Sequence, residues 1–365
     1  MFQLFKQLHL NCHVLKSIRV VSKVKYSFNY QSVLKMSSIK IGTHSGTFHC
    51  DEVLACYMLK LLPEYKDATI IRSRDLPVLD TCDIVVDVGG KYDPSSHRYD
   101  HHMREFNESF STVMNKPGYT STIKLSSAGL VYCHFGQKIL KHLLPEVADD
   151  DLEIIFKRIY ESLIKEIDGI DNGVQMFDGE PKYRIVTDLG SRVSRLNKQW
   201  NSINIDEMNQ FHKAMELVGE EFQHFVNSSA RIWLPARTFV KEAIQRRFEV
   251  DASGEIIEFE RMVPWKEHLF VIEKEMGLNT DSKLGIKFVI FKDNNYRVQA
   301  VPVELGSFEC RIFLHKEWLG LRDEELSDVA KIKGCVFVHS TGFIGGNLTR
   351  EGALEMARRS LEQKQ

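Results

Sequence analysis

The 365-residue chain has no stretch of about 18 uncharged apolar residues, so no membrane-spanning helix and no membrane insertion are expected. It has no Cys-x-x-Cys pair. Its seven cysteines (Cys12, Cys50, Cys56, Cys82, Cys133, Cys310 and Cys335) are scattered and odd in number, which argues against a disulfide framework and a structural zinc site. Gly-x-Gly-x-x-Gly is absent, and with it a Rossmann dinucleotide site, although Gly89-Gly90 follows a strand-like run. Internal repeats and low-complexity tracts are missing too. Residues 1–40 lack Asp and Glu altogether while carrying seven Lys/Arg.

That acid-free stretch, with Phe2, Leu4, Phe5, Leu8, Leu15 and Ile18 among the cations, suits an amphipathic import presequence. The expectation is a basic targeting leader over 1–38 that sends the protein to the mitochondrial matrix; an unstructured basic tail is the alternative. Met36 offers a second start that omits the leader and gives a nuclear or cytoplasmic form. Taking those seven cations from the chain's 48 leaves 41 basic side chains against 50 acidic ones, a net of −9. Such a body is unsuited to tight binding along a duplex, because affinity for phosphate backbones comes chiefly from Lys and Arg.

With 43% hydrophobic and 27% charged residues, the remainder has the composition of an average soluble protein, long enough for two domains of roughly 150 residues. From residue 39 the pattern is α/β. Ile39-Lys-Ile-Gly reads as a strand, and Val53, Leu54, Tyr57, Met58 and Leu61 share a helix face that Pro63 ends. Ala68-Thr-Ile-Ile and Asp83-Ile-Val-Val-Asp-Val read as buried strands, and this order implies a largely parallel sheet. Helices are predicted over 126–144, 152–167 and most of 205–249, the last divided at Pro235. Beyond Ser253-Gly254 short strands take over, at 256–259, 269–272, 286–291, 296–301 and 311–314, with a hairpin turn at Asp293-Asn-Asn. The expected architecture is an α/β, largely parallel-sheet domain over 39–240 followed by a smaller α+β domain over 241–365.

Five of the fourteen histidines fall between positions 44 and 102, interleaved with acids at strand ends. His44, His49 and Asp51 follow the first strand, at the carboxyl edge where parallel sheets bind ligands. Asp87 ends Ile84-Val-Val-Asp, Asp100-His101-His102 forms a third cluster, and Asp168 lies near a helix end in Glu166-Ile-Asp-Gly-Ile-Asp-Asn-Gly. Singly, each has a plainer reading: His44 as a loop histidine, Asp87 as a turn residue, His101 and His102 as surface, Asp168 as a helix cap. Together, imidazoles and carboxylates from four separated segments are what two divalent cations require, since one carboxylate must bridge them and others offset their charge. Mn²⁺ or Mg²⁺ suits the set, with zinc as an alternative.

Asp100-His101-His102, with an acid at a strand end upstream, resembles the signature of the DHH phosphoesterase superfamily. The fuller wording is similar to the Myg-type exonucleases of eukaryotes: Gly42-Thr-His-Ser-Gly-Thr-Phe-His-Cys-Asp-Glu, Asp87-Val-Gly-Gly-Lys-Tyr-Asp-Pro, Tyr99-Asp-His-His and Gly334-Cys-Val-Phe-Val-His-Ser-Thr-Gly-Phe-Ile-Gly-Gly. That resemblance covers residues 39–365. It implies a DHH-like metal-dependent domain followed by a substrate-binding domain. It further implies that His44 and His49 hold one metal with Asp87 bridging, and that Asp51, His101 and Asp168 hold the other. His102 would contact the scissile phosphate and Asp100 would orient a neighbouring imidazole. One departure stands out: the superfamily places an Asp four residues after the first His and another two later, whereas here His49 follows at five and Asp51 at seven.

Near the C-terminus, Gly345-Gly346 lies between the strand Cys335-Val-Phe-Val and a helix beginning near Thr349. Either it cradles a substrate phosphate with its backbone N–H groups, or it is a glycine-rich turn. His339, Arg297 and Arg311 are candidates for the same surface. The reading that unites these features is a metal-dependent phosphodiesterase, a 3′–5′ exonuclease acting on single-stranded RNA or a short oligonucleotide, with direction and RNA preference implied by the resemblance alone. A hydrolase of small phosphoanhydrides or nucleotides, and a scaffold protein whose chemistry has lapsed, are the rivals.

Overall fold

The computed structural model describes residues 38–278 and 285–363. Of the leader expected over 1–38, only Ser38 is among them. The fold is mixed α/β and contains two five-stranded sheets. No helix among the described residues is long and apolar enough to cross a membrane, and the six described cysteines are free.

The first sheet comprises β1 (Lys40–Thr43), β2 (Thr69–Arg72), β3 (Ile84–Val86), β4 (Tyr92–Asp93) and β5 (Arg98–Tyr99), in the order β2-β1-β3-β5-β4. β1 runs parallel to β2 and β3, and β3 to β5; the two-residue β4 is antiparallel. Ile84-Val85-Val86 is fully buried, as a strand covered on both faces must be. Ile84 and Val86 join Ile41 in the main core, while Val85 packs with Leu79 and Cys82 on the opposite face. The helices Cys50–Lys60, Ser127–Leu143 and Glu207–Ser228 pack together over that core. Because β1, β3 and β5 are parallel, their carboxyl ends share one edge. His44 follows Thr43, Asp87 follows Val86 and Asp100 follows Tyr99 at that edge.

The second sheet holds β6 (Ile256–Phe259), β7 (Phe288–Lys292), β8 (Tyr296–Ala300), β9 (Cys335–Val338) and β10 (Ile344–Asn347), in the order β6-β7-β8-β10-β9. Only the β6–β7 pair is parallel. Phe288 and Ile290 pack with Ala353 and Met356 of the helix Arg350–Leu361; Val289 and Phe291 face Ile244, Leu269 and Ile272 on the other side. Helices on both faces explain why β7 reads as a continuous apolar run.

Four expectations differ from this structure. Leu269–Ile272 belongs to the helix Lys266–Glu275, because Leu269 and Ile272 are three apart and bury one helical stripe; so short an apolar run has no period of its own. Residues 311–314 join no ladder; the nearest pairing is an isolated bridge between Pro302 and Cys310, just before them. The helix over 152–167 runs from Asp149 to Asp171 through a π turn, Tyr160–Ile164. Pro235 does not separate two helices; a π turn over Ser229–Trp233 leads straight into Leu234–Gln245, and such a turn is where a continuous helix absorbs an interrupted hydrogen-bond ladder.

Candidate metal centre

Asp87 occupies the carboxyl end of β3 with φ = 60°, a left-handed backbone that few residues other than glycine adopt. Its N–H still donates to the Tyr99 carbonyl at 3.1 Å, so the strain is held by the sheet. In this posture its carboxylate faces three imidazoles. His44 Nε2 lies 3.3 Å from Oδ2, and His101 Nε2 and His102 Nδ1 lie 3.2 and 3.6 Å from Oδ1.

Three overlapping groups of donors converge there, each with ligand atoms within 4.8 Å of one another: His44, His49, Glu52 and Asp87; Asp87, His101 and His102; and Asp51, His101 and Asp171. Asp87 belongs to the first two and His101 to the last two. Asp51, His101 and Asp171 lie on one side of Asp87, and His44, His49 and Glu52 on the other. The start of the helix Cys50–Lys60 builds part of both. His49 is its N-cap, its N–H donating to Glu52 at 2.9 and 3.0 Å, and Asp51 and Glu52 occupy the first turn where the helix dipole favours anions. Glu52 then reaches His44 Nε2 at 3.0 Å.

The chemistry of this cluster fits divalent cations. Both carboxylate oxygens of Asp51 are buried without a hydrogen-bond partner. His101 also lacks one at either ring nitrogen, although Nε2 stands 3.2 Å from both Asp87 and Asp171. Several buried carboxylates cannot remain ionised together without a countercharge. Accordingly burial, reinforced by repulsion from Asp87 and Asp171, drives the Asp51 carboxyl well above its usual range. Burial opposes protonation of His44, but pairing with Asp87 and Glu52 outweighs it and lifts the imidazole to about 10. Pairing with Asp171 and Asp87 likewise overrides burial at His101, lifting it to about 9. The atoms that bind protons so tightly are the ones a divalent ion would take.

Asp100 and His102 form the outer part. One Asp100 oxygen accepts from His102 Nδ1 at 2.6 Å and from its backbone N–H at 3.1 Å, and the other accepts from Gly90 N–H at 2.6 Å. This raises the His102 pKa and leaves Nε2 on a side chain that is 63% exposed.

Asp168 is not brought to the cluster. Its Oδ1 accepts from the Ser126 N–H at 2.9 Å and hydroxyl at 2.8 Å, at the start of the helix Ser127–Leu143. Gly129, in that helix's first turn, leaves room for the carboxylate. Burial lifts Asp168 to about 7, against those hydrogen bonds. Asp171, almost one turn further on, stands beside His101 instead. Glu52 and Asp171 were both visible in the motifs. The signal for Glu52 was its place three residues after an N-cap; choosing Asp171 over Asp168 required knowing where Ser126 lies.

The C-terminal candidates are placed differently from expectation. Gly345 and Gly346 lie within β10, paired on one side with β8 and on the other with β9, so their backbone belongs to the ladder and forms no anion cradle. Arg311 is engaged by buried Glu273 through bonds of 2.8 and 2.7 Å, and donates to the Ile286 carbonyl. Arg297 pairs with Asp293 at 3.3 Å and lies over the Phe337 ring. His339 bonds Thr341 within the turn that joins β9 to β10. None of these four segments lines the cleft beside the cluster, a cavity of about 490 Å³ bordered by Phe48, Lys124, Ile170 and Gly190 as well as the ligand groups. A cavity of about 570 Å³ beside Arg246, Glu258 and Arg350 is larger but contains no part of the cluster.

Fold and site define an α/β protein with a candidate metal centre at the carboxyl edge of a mostly parallel sheet. The chain belongs to the MYG1 exonuclease family, whose model, described as an uncharacterised protein family (UPF0160), matches residues 40–361. It is 51% identical over 334 residues to the MYG1 exonuclease of Mus musculus, covering 90% of this chain and 86% of that one. Identity to the MYG1 exonuclease of Homo sapiens is 50%, covering 90% and 87%. To the MYG1 protein of Dictyostelium discoideum it is 46%, covering 90% and 98%. No solved structure matches the chain.

Proposed function

We propose that this chain is a metal-dependent phosphodiesterase of DHH type, a 3′–5′ exonuclease that shortens single-stranded RNA in the mitochondrial matrix with Mn²⁺ or Mg²⁺. The observation that carries the proposal is Asp87, common to the histidine cluster on both sides, beside an Asp51 whose buried oxygens have no partner. Similarity to the mouse and human proteins named MYG1 exonuclease supports the reaction class.

His44, His49 and Glu52 would hold one ion and Asp51, His101 and Asp171 the other, with Asp87 serving both. Divalent ions so bound supply positive charge for the phosphoryl oxygens and acidify water. The chain's own residues do the rest. Asp100 accepts from His102 Nδ1–H and favours the protonated ring, whose Nε2–H would then be the donor that meets a phosphate oxygen. Lys124 adds a cation at the cleft wall. The strained Asp87 backbone keeps its carboxylate aimed before any ligand arrives, so positioning costs nothing during turnover.

The test is cleavage of 5′- and 3′-labelled RNA and DNA strands with Mn²⁺, with and without chelator. Shortening from the 3′ end that chelator abolishes is the expected result. Phosphate release from pyrophosphate without strand shortening would identify a small phosphoanhydride hydrolase, and inactivity on both a lapsed enzyme. For the location, a fluorescent fusion of residues 1–40 should enter mitochondria while a chain begun at Met36 stays out; diffuse fluorescence from the fusion refutes the leader.

A further inference from the structure

Between Asp171 and Leu189, seventeen residues run without helix or strand. Loops of this length within a packed domain usually carry function. Both ends of this one border the metal cleft, through Asp171 and Asn172 at its start and Gly190 and Ser194 just after it. The segment after that returns to the same place. Asn197 clamps the main chain of Phe48, accepting from its N–H at 2.9 Å and donating to its carbonyl at 2.7 Å, one residue before the His49 ligand.

These two stretches leave large side chains in water. Tyr183 is 77% exposed and Trp200, three residues beyond the clamp, is 96% exposed. Met176 and Ile203 are similarly bare. Bare aromatic and apolar groups on two segments anchored at the cleft offer surface for a ligand to cover. Charge says what kind of partner. From Pro181 to Lys198 every charged side chain except Asp188 is cationic, in a body that is otherwise net acidic, and Asp188 is taken up by Ser191. Arg192 pairs with Glu221, and Arg195 donates to the carbonyls of Ser191 and Val186. Lys182, Arg184 and Lys198 have no ion pair or hydrogen bond among the described residues.

We propose that the loop 172–188 and the segment 195–203 form a track for single-stranded nucleic acid leading into the cleft, with Tyr183 and Trp200 stacking bases and Lys182, Arg184 and Lys198 meeting phosphates. Exposed aromatic rings interleaved with unpaired cations are the physical requirement for sequence-tolerant binding of a single strand, because every base offers a π face and every linkage a charge. The inference deepens the phosphodiesterase reading and rests on it for the direction of the strand.

Trp200 provides its own probe. Of the four tryptophans, Trp265 and Trp318 are buried and Trp233 is stacked on His268, so the solvent-exposed emission comes from Trp200. Short oligouridylate and its DNA counterpart, added to the full chain under chelator, should quench that emission. Trp200→Ala should abolish the quench, and Trp200→Ala or Tyr183→Ala should each weaken binding of a fluorescein-labelled strand about tenfold. Turnover of bis(p-nitrophenyl) phosphate with Mn²⁺, which is too small to reach the track, should not change in either variant. Unaltered strand affinity in both variants overturns the proposal. So does a concentration-dependent dimer of the native chain that Trp200→Ala disperses, which would make this a protein interface. Strand binding that depends on both rings in a protein inert toward the small diester would uphold the track and remove the catalytic reading instead.

Discussion

Asp168 and Ser126, 42 residues apart in sequence, are joined by two hydrogen bonds at 2.9 and 2.8 Å, and this pairing separates Asp168 from an Asp171 that lies 3.2 Å from His101. The two acids share one short helix yet have opposite surroundings. Asp171→Asn should therefore lower the bound metal per chain and cut turnover by about a hundredfold or more, the scale on which one electrostatic contact to a reacting centre is lost. In Asp168→Asn the amide oxygen still accepts from Ser126, and burial already favours an uncharged group there, so metal content and turnover should stay near native. Elemental analysis and cleavage rates check the pair; the reverse ranking would return Asp168 to the ligand set.

Asp87→Asn should abolish turnover, with a loss of about a thousandfold or more, while the protein stays folded. A carboxamide offers one acceptor oxygen and no charge, so it cannot serve both halves of the cluster. Asparagine is nevertheless among the residues that tolerate the left-handed backbone found at this position, whereas alanine would add strain to the lost charge. Circular dichroism should match the native protein in Asp87→Asn. A folded variant that cleaves at close to the native rate would refute the shared-carboxylate assignment.

What the sequence disclosed followed from distance along the chain. β1, β3 and the helix Cys50–Lys60 are short local patterns bounded by turn residues, and the parallel order that follows places His44, Asp87 and Asp100 at one edge. Convergence of His44, His49, Asp51, Asp87, His101 and His102 could be anticipated on that basis. What stayed hidden depended on a partner far away: Ser126 for Asp168, Glu273 for Arg311, and the flanking strands for Gly345 and Gly346. A glycine pair after a strand has the same local sequence whether it forms a loop around an anion or a strand squeezed between neighbours.

Gly345→Val together with Gly346→Val should act on stability and leave metal binding untouched. A Cβ at Gly345 would come within 2.9 Å of a Leu314 methyl and 3.0 Å of the Phe337 carbonyl; at Gly346 it would come within 3.2 Å of the Tyr296 carbonyl. Overpacking of this kind costs about 1–3 kcal/mol per site. Thermal unfolding should shift down by several degrees, with metal content per folded chain unchanged and KM for the folded fraction as in the native protein. A raised KM with unchanged thermal stability would restore the anion-cradle role.

Stability of the metal-free protein should fall as pH rises, and the sign follows from four groups that shift together. Burial holds Asp51 well above the usual carboxylate range and Asp168 at about 7, while carboxylate partners hold His44 at about 10 and His101 at about 9 despite burial. Each binds its proton more tightly in the folded state than in the unfolded one. Their contribution is complete at low pH and is lost upward, for Asp168 from about pH 4 to 7 and for the imidazoles from about pH 6.5 to 10. Asp87, held below its usual range by His101 and His44 in spite of burial, works in the opposite sense but only in strong acid. Divalent ions compete with the protons on Asp51, His44 and His101, though not with that on Asp168, so Mn²⁺ should stabilise little near pH 5 and progressively more toward pH 8. Scanning calorimetry across that range, with chelator and with Mn²⁺, should show two curves that diverge as pH rises. A metal-free Tm that is flat or climbs, or equal stabilisation by Mn²⁺ at both ends, would mean that Asp51, His44 and His101 do not form one cation site.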